Sequence, residues 1–187
     1  MMGSGRRTDR EHALVTRRVR RAECAPVSTP DRQGQRHSNI FFVDDDYPAY
    51  QAWTAELGLL GFATSCMWSA DGAFRRLWNA PPSEVGLVVI DVMLAVEDLR
   101  DRRFTPDRTD GYQETGLRLL EDLAAQNPTV FPRRAVLLSN TQNYDTLSNA
   151  RNVSSFFGIP YWDKSSIYSP LMFADMVTTR LAELGRT

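Results

Sequence analysis

Four short apolar runs of the chain lead into polar side chains that are suited to phosphoryl chemistry. Asp44 and Asp45 follow residues 40–43, Asp91 follows 85–90, Ser139 follows 135–138, and Lys164 follows the short run 161–163. An acidic residue after a strand is often only a turn or cap residue, and a lone lysine is usually solvated. The recurrence at four strand ends instead indicates one shared site.

The charges of this site predict its chemistry. Packed carboxylates raise one another's pKa values unless a cation joins them. Oxygen ligands without nearby His or Cys favour Mg²⁺ or Mn²⁺ over Zn²⁺. With its charge offset by the metal and Lys164, Asp91 could attack phosphorus as a nucleophile, while Ser139 donates a hydrogen bond to the transferring group. The pattern therefore predicts an aspartyl-phosphate site.

The elements that must position these residues alternate along the chain. Apolar runs predict strands at 40–43, 62–67, 85–90, 135–138 and 161–164, and helical spacing predicts helices at 50–60, 70–78, 114–126, 144–153 and 170–184. This alternation predicts an α/β fold, a doubly wound five-stranded parallel sheet with helices on both faces. Ligands of such sheets bind at the carboxyl ends of the strands, where the polar residues lie.

Composition excludes several classes of protein and of catalysis. The chain of 187 residues is 42% hydrophobic and 24% charged, the balance of a soluble globular domain with some excess length. Its longest nearly apolar stretch, 85–96, is shorter than the roughly 18 residues of a membrane span. Two cysteines, Cys24 and Cys66, make no disulfide framework or zinc site, so we expect a cytoplasmic protein. Both histidines, His12 and His37, precede the predicted domain, which excludes Ser-His-Asp and Cys-His catalysis within it.

The charge is divided unevenly between a tail and a domain. Residues 1–38 contain nine arginines and four acidic residues, whereas 39–187 contain 13 basic and 19 acidic residues. We expect 1–38 to be a basic, disordered tail with one short helix between Asp9 and Glu23. Its arginines lack interleaved aromatic residues, so we expect no nucleic-acid binding beyond a weak, non-specific contact through this tail.

Residues 39–186 resemble the receiver domain of two-component response regulators. The resemblance rests on four segments taken in order: Phe42-Val43-Asp44-Asp45-Asp46, Ile90-Asp91-Val92-Met93-Leu94, Leu137-Leu138-Ser139-Asn140 and Tyr161-Trp162-Asp163-Lys164. It implies a flavodoxin-like fold with strand order 2-1-3-4-5.

The resemblance also implies roles for single residues. Asp91 would accept the phosphoryl group, Asp45 would bind Mg²⁺ directly, Asp44 would bind it mostly through water, and Met93 would contribute its backbone carbonyl. Ser139 and Lys164 occupy the family's Ser/Thr and lysine positions. Tyr161 is either the family's switch aromatic, moving together with Ser139, or an aromatic at the rim of the sheet.

Two departures from the family pattern concern loops beside the site. Ser165 follows Lys164 where the family usually has a proline, often after a cis bond; we expect a trans bond here. After Asp91 the chain has a long insert, about 95–113, in place of a short loop ending in glycine. Its mixed charges predict a mobile, solvated loop that shapes partner access or the lifetime of the phosphoryl group.

The function predicted is therefore that of a signalling switch. A sensor histidine kinase or phosphotransfer protein would phosphorylate Asp91, and phosphorylation would control binding to an unknown protein target. We expect only self-phosphorylation and slow autodephosphorylation, not metabolic catalysis. One alternative is a pseudo-receiver that acts as a phosphorylation-independent adaptor. The other is a Mg²⁺-dependent phosphohydrolase, which the absence of an acid at position 93 disfavours.

Overall fold

The central feature of the protein is a five-stranded, all-parallel sheet of order β2-β1-β3-β4-β5. The computed structural model describes residues 39–185, and within them all side chains except those of 47–49. The strands are β1 (Asn39–Val43), β2 (Thr64–Met67), β3 (Val85–Asp91), β4 (Ala135–Ser139) and β5 (Tyr161–Asp163). The predicted fold class and strand order are confirmed. The tail at 1–38 and the helix predicted within it lie outside the described residues.

Five helices connect or follow the strands. They are α1 (Tyr47–Leu59), α2 (Ala70–Trp78), α3 (Thr115–Gln126), α4 (Tyr144–Phe157) and α5 (Pro170–Gly185). Helix α1 begins three residues before its predicted start. Helix α4 runs four residues beyond its predicted end, because Gly158, with a φ of 65°, adopts the left-handed conformation that ends it.

The alternation of side chains along each strand builds two apolar layers. On β1, Phe41 and Val43 face one layer, which receives the buried faces of α2, α3 and α4. Ile40 and Phe42 face the other, which receives α1 and α5. Every residue of β3 is buried, as expected for a central strand covered on both faces. Among residues 39–185, no helix combines the length and the apolar composition that a bilayer crossing requires.

The insert after β3 is largely exposed, but part of it packs on the domain, which the prediction of a solvated loop did not include; its mobility stays a prediction. It contains two 3₁₀ turns, Arg102–Phe104 and Pro106–Arg108. Phe104 is 1% exposed and belongs to the layer under α2 and α3. The buried Asp71 carboxylate of α2 accepts a hydrogen bond from the Glu97 backbone N–H at 3.0 Å, and the Arg103 guanidinium lies 4.0 Å from the centre of the Phe74 ring. These anchors are distant in sequence, so local charge alone did not indicate them.

At the end of the insert, α3 begins so close to the backbone of β3 that only a glycine fits, and this glycine is Gly116. The Gly116 N–H donates a 2.8 Å hydrogen bond to the Val92 carbonyl. A Cβ atom at Gly116 would lie 1.8 Å from the backbone oxygen of Asp91. The start of α3 therefore packs directly on the backbone of the strand that carries Asp91.

We expect Gly116→Ala to lower the free energy of unfolding by about 2–3 kcal/mol, because the added methyl group meets backbone rather than a flexible side chain. Gly58→Ala in α1 is the matched control, since a Cβ there has nothing within 4 Å. That control should be neutral or stabilising by up to about 1 kcal/mol. Urea unfolding measures both, and equal stabilities of the two variants would contradict this account of the α3–β3 contact.

Phe104→Ala should cost about 3 kcal/mol of unfolding free energy, because it leaves a cavity in the core. Leu99→Ala removes an apolar side chain from the same insert, but Leu99 is 74% exposed and its loss should have little effect. Thermal and urea unfolding of both variants compare them. A Phe104→Ala variant as stable as Leu99→Ala would mean that the insert does not pack on the domain.

Candidate phosphoacceptor and metal site

The register of the sheet places the acidic residues beside one another. Val43 of β1 pairs with Ile90 of β3, so the residues that follow, Asp44 and Asp91, leave the sheet side by side. Asp44 is 1% exposed and Asp91 is 6% exposed. Such buried carboxylates require a cation or hydrogen-bond donors to be stable in their charged form.

Lys164 supplies that cation from the end of β5. Its Nζ atom lies 2.8 Å from Oδ2 of Asp44 and 2.8 Å from Oδ2 of Asp91, and its side chain is 7% exposed. The Asp46 backbone N–H donates a further hydrogen bond to Oδ1 of Asp44 at 2.9 Å. Oδ1 of Asp91 is buried and has no hydrogen-bond partner among residues 39–185. One oxygen of Asp91 is therefore left to bond an added group.

The oxygens around Lys164 form a ligand set for a hard cation. Carboxylate oxygens of Asp44, Asp45 and Asp91 all lie within 4.8 Å of one another, and Asp45 is exposed at the mouth of the site. When all three carboxyl groups are ionised, they and the one ammonium leave an excess of two negative charges. This donor set fits Mg²⁺ or Mn²⁺. Met93 lies two residues beyond Asp91, and its side chain packs against the core; a metal bond to its carbonyl stays a prediction.

Ser139 and Tyr161 lie on neighbouring strands at the same edge. Asp91 pairs with Leu138, so Ser139 is one residue further along β4. Ser139 is fully buried, and its Oγ accepts a hydrogen bond from the Thr141 N–H at 3.1 Å. Burial and the nearby Asp163 carboxylate raise the pKa of the half-buried Tyr161 phenol. The two residues predicted to form a switch thus lie on adjacent paired strands, and the switch itself stays a prediction.

Comparison with known proteins identifies the architecture. No family model and no curated protein matches the chain. A CheY-like response regulator receiver domain protein from Methanospirillum hungatei JF-1 is 16% identical, with a TM-score of 0.58 over 80% of this chain and 98% of the other. The signal receiver domain of a signal transduction histidine kinase from Syntrophus aciditrophicus is 18% identical, with a TM-score of 0.56 over 80% and 94% of the two chains. A receiver domain protein from Clostridium thermocellum is 13% identical, with a TM-score of 0.56 over 79% and 97%.

The chain has the receiver fold. At these identities the likeness concerns the architecture, and the resemblance inferred from the sequence is confirmed at that level.

Within this receiver fold, Lys164 reaches the site without a proline after it. The cis peptide bond among residues 39–185 precedes Pro132, so the Lys164–Ser165 bond is trans, as expected. Instead of a proline, Asp163 organises the turn: its Oδ1 accepts hydrogen bonds from the Ser165 N–H at 2.8 Å and from the Ser165 hydroxyl at 2.7 Å. This cap begins a 3₁₀ turn, Lys164–Ser166, that fixes the backbone of the lysine.

Burial and charge together displace the pKa values of the site. Burial raises the pKa of Asp91 to about 7, with Lys164 opposing the rise and Asp44 adding to it. Burial likewise raises the pKa of Asp44. Burial alone would lower the pKa of Lys164, but the two carboxylates outweigh it and raise that pKa above its ordinary value. The Lys164 ammonium stays charged because two buried carboxylates face it. Each carboxylate receives only part of the stabilisation that its burial requires, because the ammonium is shared.

Sequence reasoning missed one residue of this site, Tyr50 of α1. Its ring centre lies 4.9 Å from Nζ of Lys164. From its sequence position, an aromatic residue in the first two turns of a helix is expected to be an ordinary core residue. Only the approach of the lysine from β5 distinguishes it, and that approach depends on tertiary structure.

The raised pKa of Asp91 predicts a pH-dependent stability when divalent cations are removed by EDTA. The folded state holds the Asp91 proton up to about pH 7, whereas the unfolded state releases it near 3.8. The unfolding free energy therefore falls as pH rises between these values. Asp91→Asn removes this loss, so the variant should gain about 1–2 kcal/mol over the wild type between about pH 5 and pH 7.

Urea unfolding followed by tryptophan fluorescence measures the difference at each pH. Asp107→Asn, at an exposed position of the insert, controls for the loss of one negative charge. A difference between Asp91→Asn and the wild type that stays constant from pH 5 to pH 7 would show that the Asp91 carboxyl is not destabilised by burial.

Proposed function

We propose that this protein is a phosphoacceptor receiver that takes a phosphoryl group from a histidine kinase or a phosphotransfer protein onto Asp91. The observation that carries the proposal is the position of Asp91: its Oδ2 is bonded to Lys164 at 2.8 Å, its buried Oδ1 has no partner among the described residues, and Asp44 and Asp45 lie beside it. The arrangement combines a nucleophile, a cation and a set of metal ligands. A merely structural ion pair needs neither Asp45 nor an unpartnered oxygen.

Asp45 and Asp91, with Asp44 and the Met93 carbonyl, would hold Mg²⁺ or Mn²⁺. The bound ion would neutralise negative charge on the carboxylates and on the phosphoryl oxygens. The acidic cluster is consistent with this assignment, because its excess of two negative charges matches the charge of the ion.

Three residues of the chain would take part in the transfer, Asp91 as the nucleophile and Lys164 and Ser139 as stabilising groups. A carboxylate oxygen of Asp91 forms a bond to phosphorus as the bond between phosphorus and the imidazole nitrogen of the donor breaks, and the departing imidazole takes up a proton from solvent. Lys164 stabilises charge that develops on the phosphoryl oxygens, and the Ser139 hydroxyl donates a hydrogen bond to one of them. Both histidines of this chain, His12 and His37, precede the domain, so the phosphohistidine comes from a partner.

The output would be a change in protein binding. Movement of Ser139 toward the phosphoryl group would release its neighbour Tyr161 to turn inward, which shifts the population of two surface conformations. The acyl phosphate would then be lost by slow hydrolysis at the same site. The protein would thus act as a switch without turnover of an external substrate.

Incubation with acetyl phosphate and Mg²⁺ should add one phosphoryl group, about 80 Da by intact mass, to the wild type and none to Asp91→Asn. Asp45→Asn should raise the Mg²⁺ concentration for half-maximal phosphorylation at least about tenfold, since it removes a ligand. Asp46→Asn is its matched control, because the exposed Asp46 side chain lies outside the cluster.

Binding of beryllofluoride with Mg²⁺, followed by tryptophan fluorescence, separates the remaining outcomes. Binding without a mass adduct would mean that the acyl phosphate is hydrolysed quickly. Failure of both assays with folded protein would overturn the proposal in favour of a pseudo-receiver that binds partners without phosphorylation.

A further inference from the structure

Lys164 makes a third contact in addition to its two ion pairs. Its Nζ atom lies 4.9 Å from the centre of the Tyr50 ring. A cation within about 6 Å of an aromatic ring face is attracted by the electron density of that face, and more strongly where water is excluded. The 7% exposure of the Lys164 side chain meets that condition.

The Tyr50 ring is itself held in place by other rings. Its centre lies 4.7 Å from the Trp53 ring and 5.7 Å from the Phe42 ring. Trp53 stacks in turn on Phe173 of α5, at 4.5 Å and 24° between the planes. A ring packed in this way has little freedom to turn its face away from the lysine. Burial raises the pKa of the Tyr50 phenol, with Lys164 opposing the rise, so the phenol stays protonated and neutral as in an ordinary tyrosine.

The two ion pairs alone do not fix the ammonium next to the phosphoacceptor. Asp44 and Asp91 compete for it at equal distances of 2.8 Å. Once Asp91 carries a phosphoryl group, its carboxylate becomes an acyl group and the balance between the two partners changes. A contact with a neutral ring is unaffected by this change of charge and would help to keep the ammonium where the phosphoryl oxygens arrive.

We propose that Tyr50 is a positioning residue, whose ring face holds the Lys164 ammonium next to Asp91 during phosphoryl transfer. The inference rests on the proposed function and deepens it, because it assigns to α1 a part in the transfer. Tyr50 touches the lysine rather than the phosphoryl group. Its loss should therefore slow the transfer without weakening metal binding.

The test uses the fact that Lys164 is the single lysine of the chain. Protein labelled with ¹³C,¹⁵N-lysine gives one set of side-chain NMR signals. In the unphosphorylated wild type, the Hε protons should lie upfield of free lysine because they are near the ring face. Tyr50→Phe keeps the ring and should keep this shift, whereas Tyr50→Leu should lose it.

The same variants are then phosphorylated with acetyl phosphate across a range of Mg²⁺ concentrations. Tyr50→Leu should lower the maximal rate about three- to tenfold, the range expected for a lost cation–π contact. The Mg²⁺ concentration for half-maximal rate should stay within about twofold of the wild type, because the carboxylate ligands remain. Tyr50→Phe should retain the wild-type rate. Tyr50→Met, whose flexible side chain fills the vacated space, replaces Tyr50→Leu if circular dichroism shows that the leucine variant is unfolded.

The outcomes distinguish this inference from the proposed function. A wild type that is phosphorylated, with Tyr50→Leu or Tyr50→Met reacting at the same maximal rate, overturns the positioning role and leaves the receiver function intact. A wild type that takes up neither phosphoryl group nor beryllofluoride overturns the receiver function. A Lys164 signal that does not change between the wild type and Tyr50→Leu would show that the contact with the ring is not made in solution.

Discussion

The ion pairs of Lys164 with Asp44 and Asp91 join the three strands on which the site depends. The carboxylates leave β1 and β3 at adjacent positions, and the ammonium arrives from the end of β5, on the far side of β4. Burial makes any unpaired charge at this edge costly. The position of the β5–α5 turn is therefore tied to the ends of the two central strands. Asp45 adds a further carboxylate at the mouth, so that with all three carboxyl groups ionised the site carries two more negative than positive charges.

The sequence predicted the sheet and most of the site because both are encoded locally. Apolar runs that end at Asp44, Asp91 and Ser139 mark strands and their carboxyl ends at once, since a parallel sheet gathers those ends at one edge. The trans bond after Lys164 followed in the same way from the absence of a proline. Each of these inferences needs only a few neighbouring residues.

The remaining features depend on contacts between distant segments. Phe104 stands alone among charged residues, and no periodic pattern marks it as part of the core. The anchor of Glu97 on Asp71 joins residues 26 apart. The approach of Lys164 to Tyr50 requires the first and last helices to pack side by side through Trp53 and Phe173. Charge composition was a poor guide to the insert because its acidic and basic residues pair locally, as Asp101 and Arg103 do.

The way the insert is anchored makes part of it suitable for protein engineering. Between the anchor at Glu97 and the buried Phe104 lie three successive exposed residues, Asp98, Leu99 and Arg100. Both ends of this stretch are held by the domain, and the entropy of closing a loop grows only slowly with its length. An epitope or a short reporter peptide grafted here would extend into solvent from a stretch whose two ends pack on the domain. The insert thus offers a permissive position for a probe on the surface of the domain.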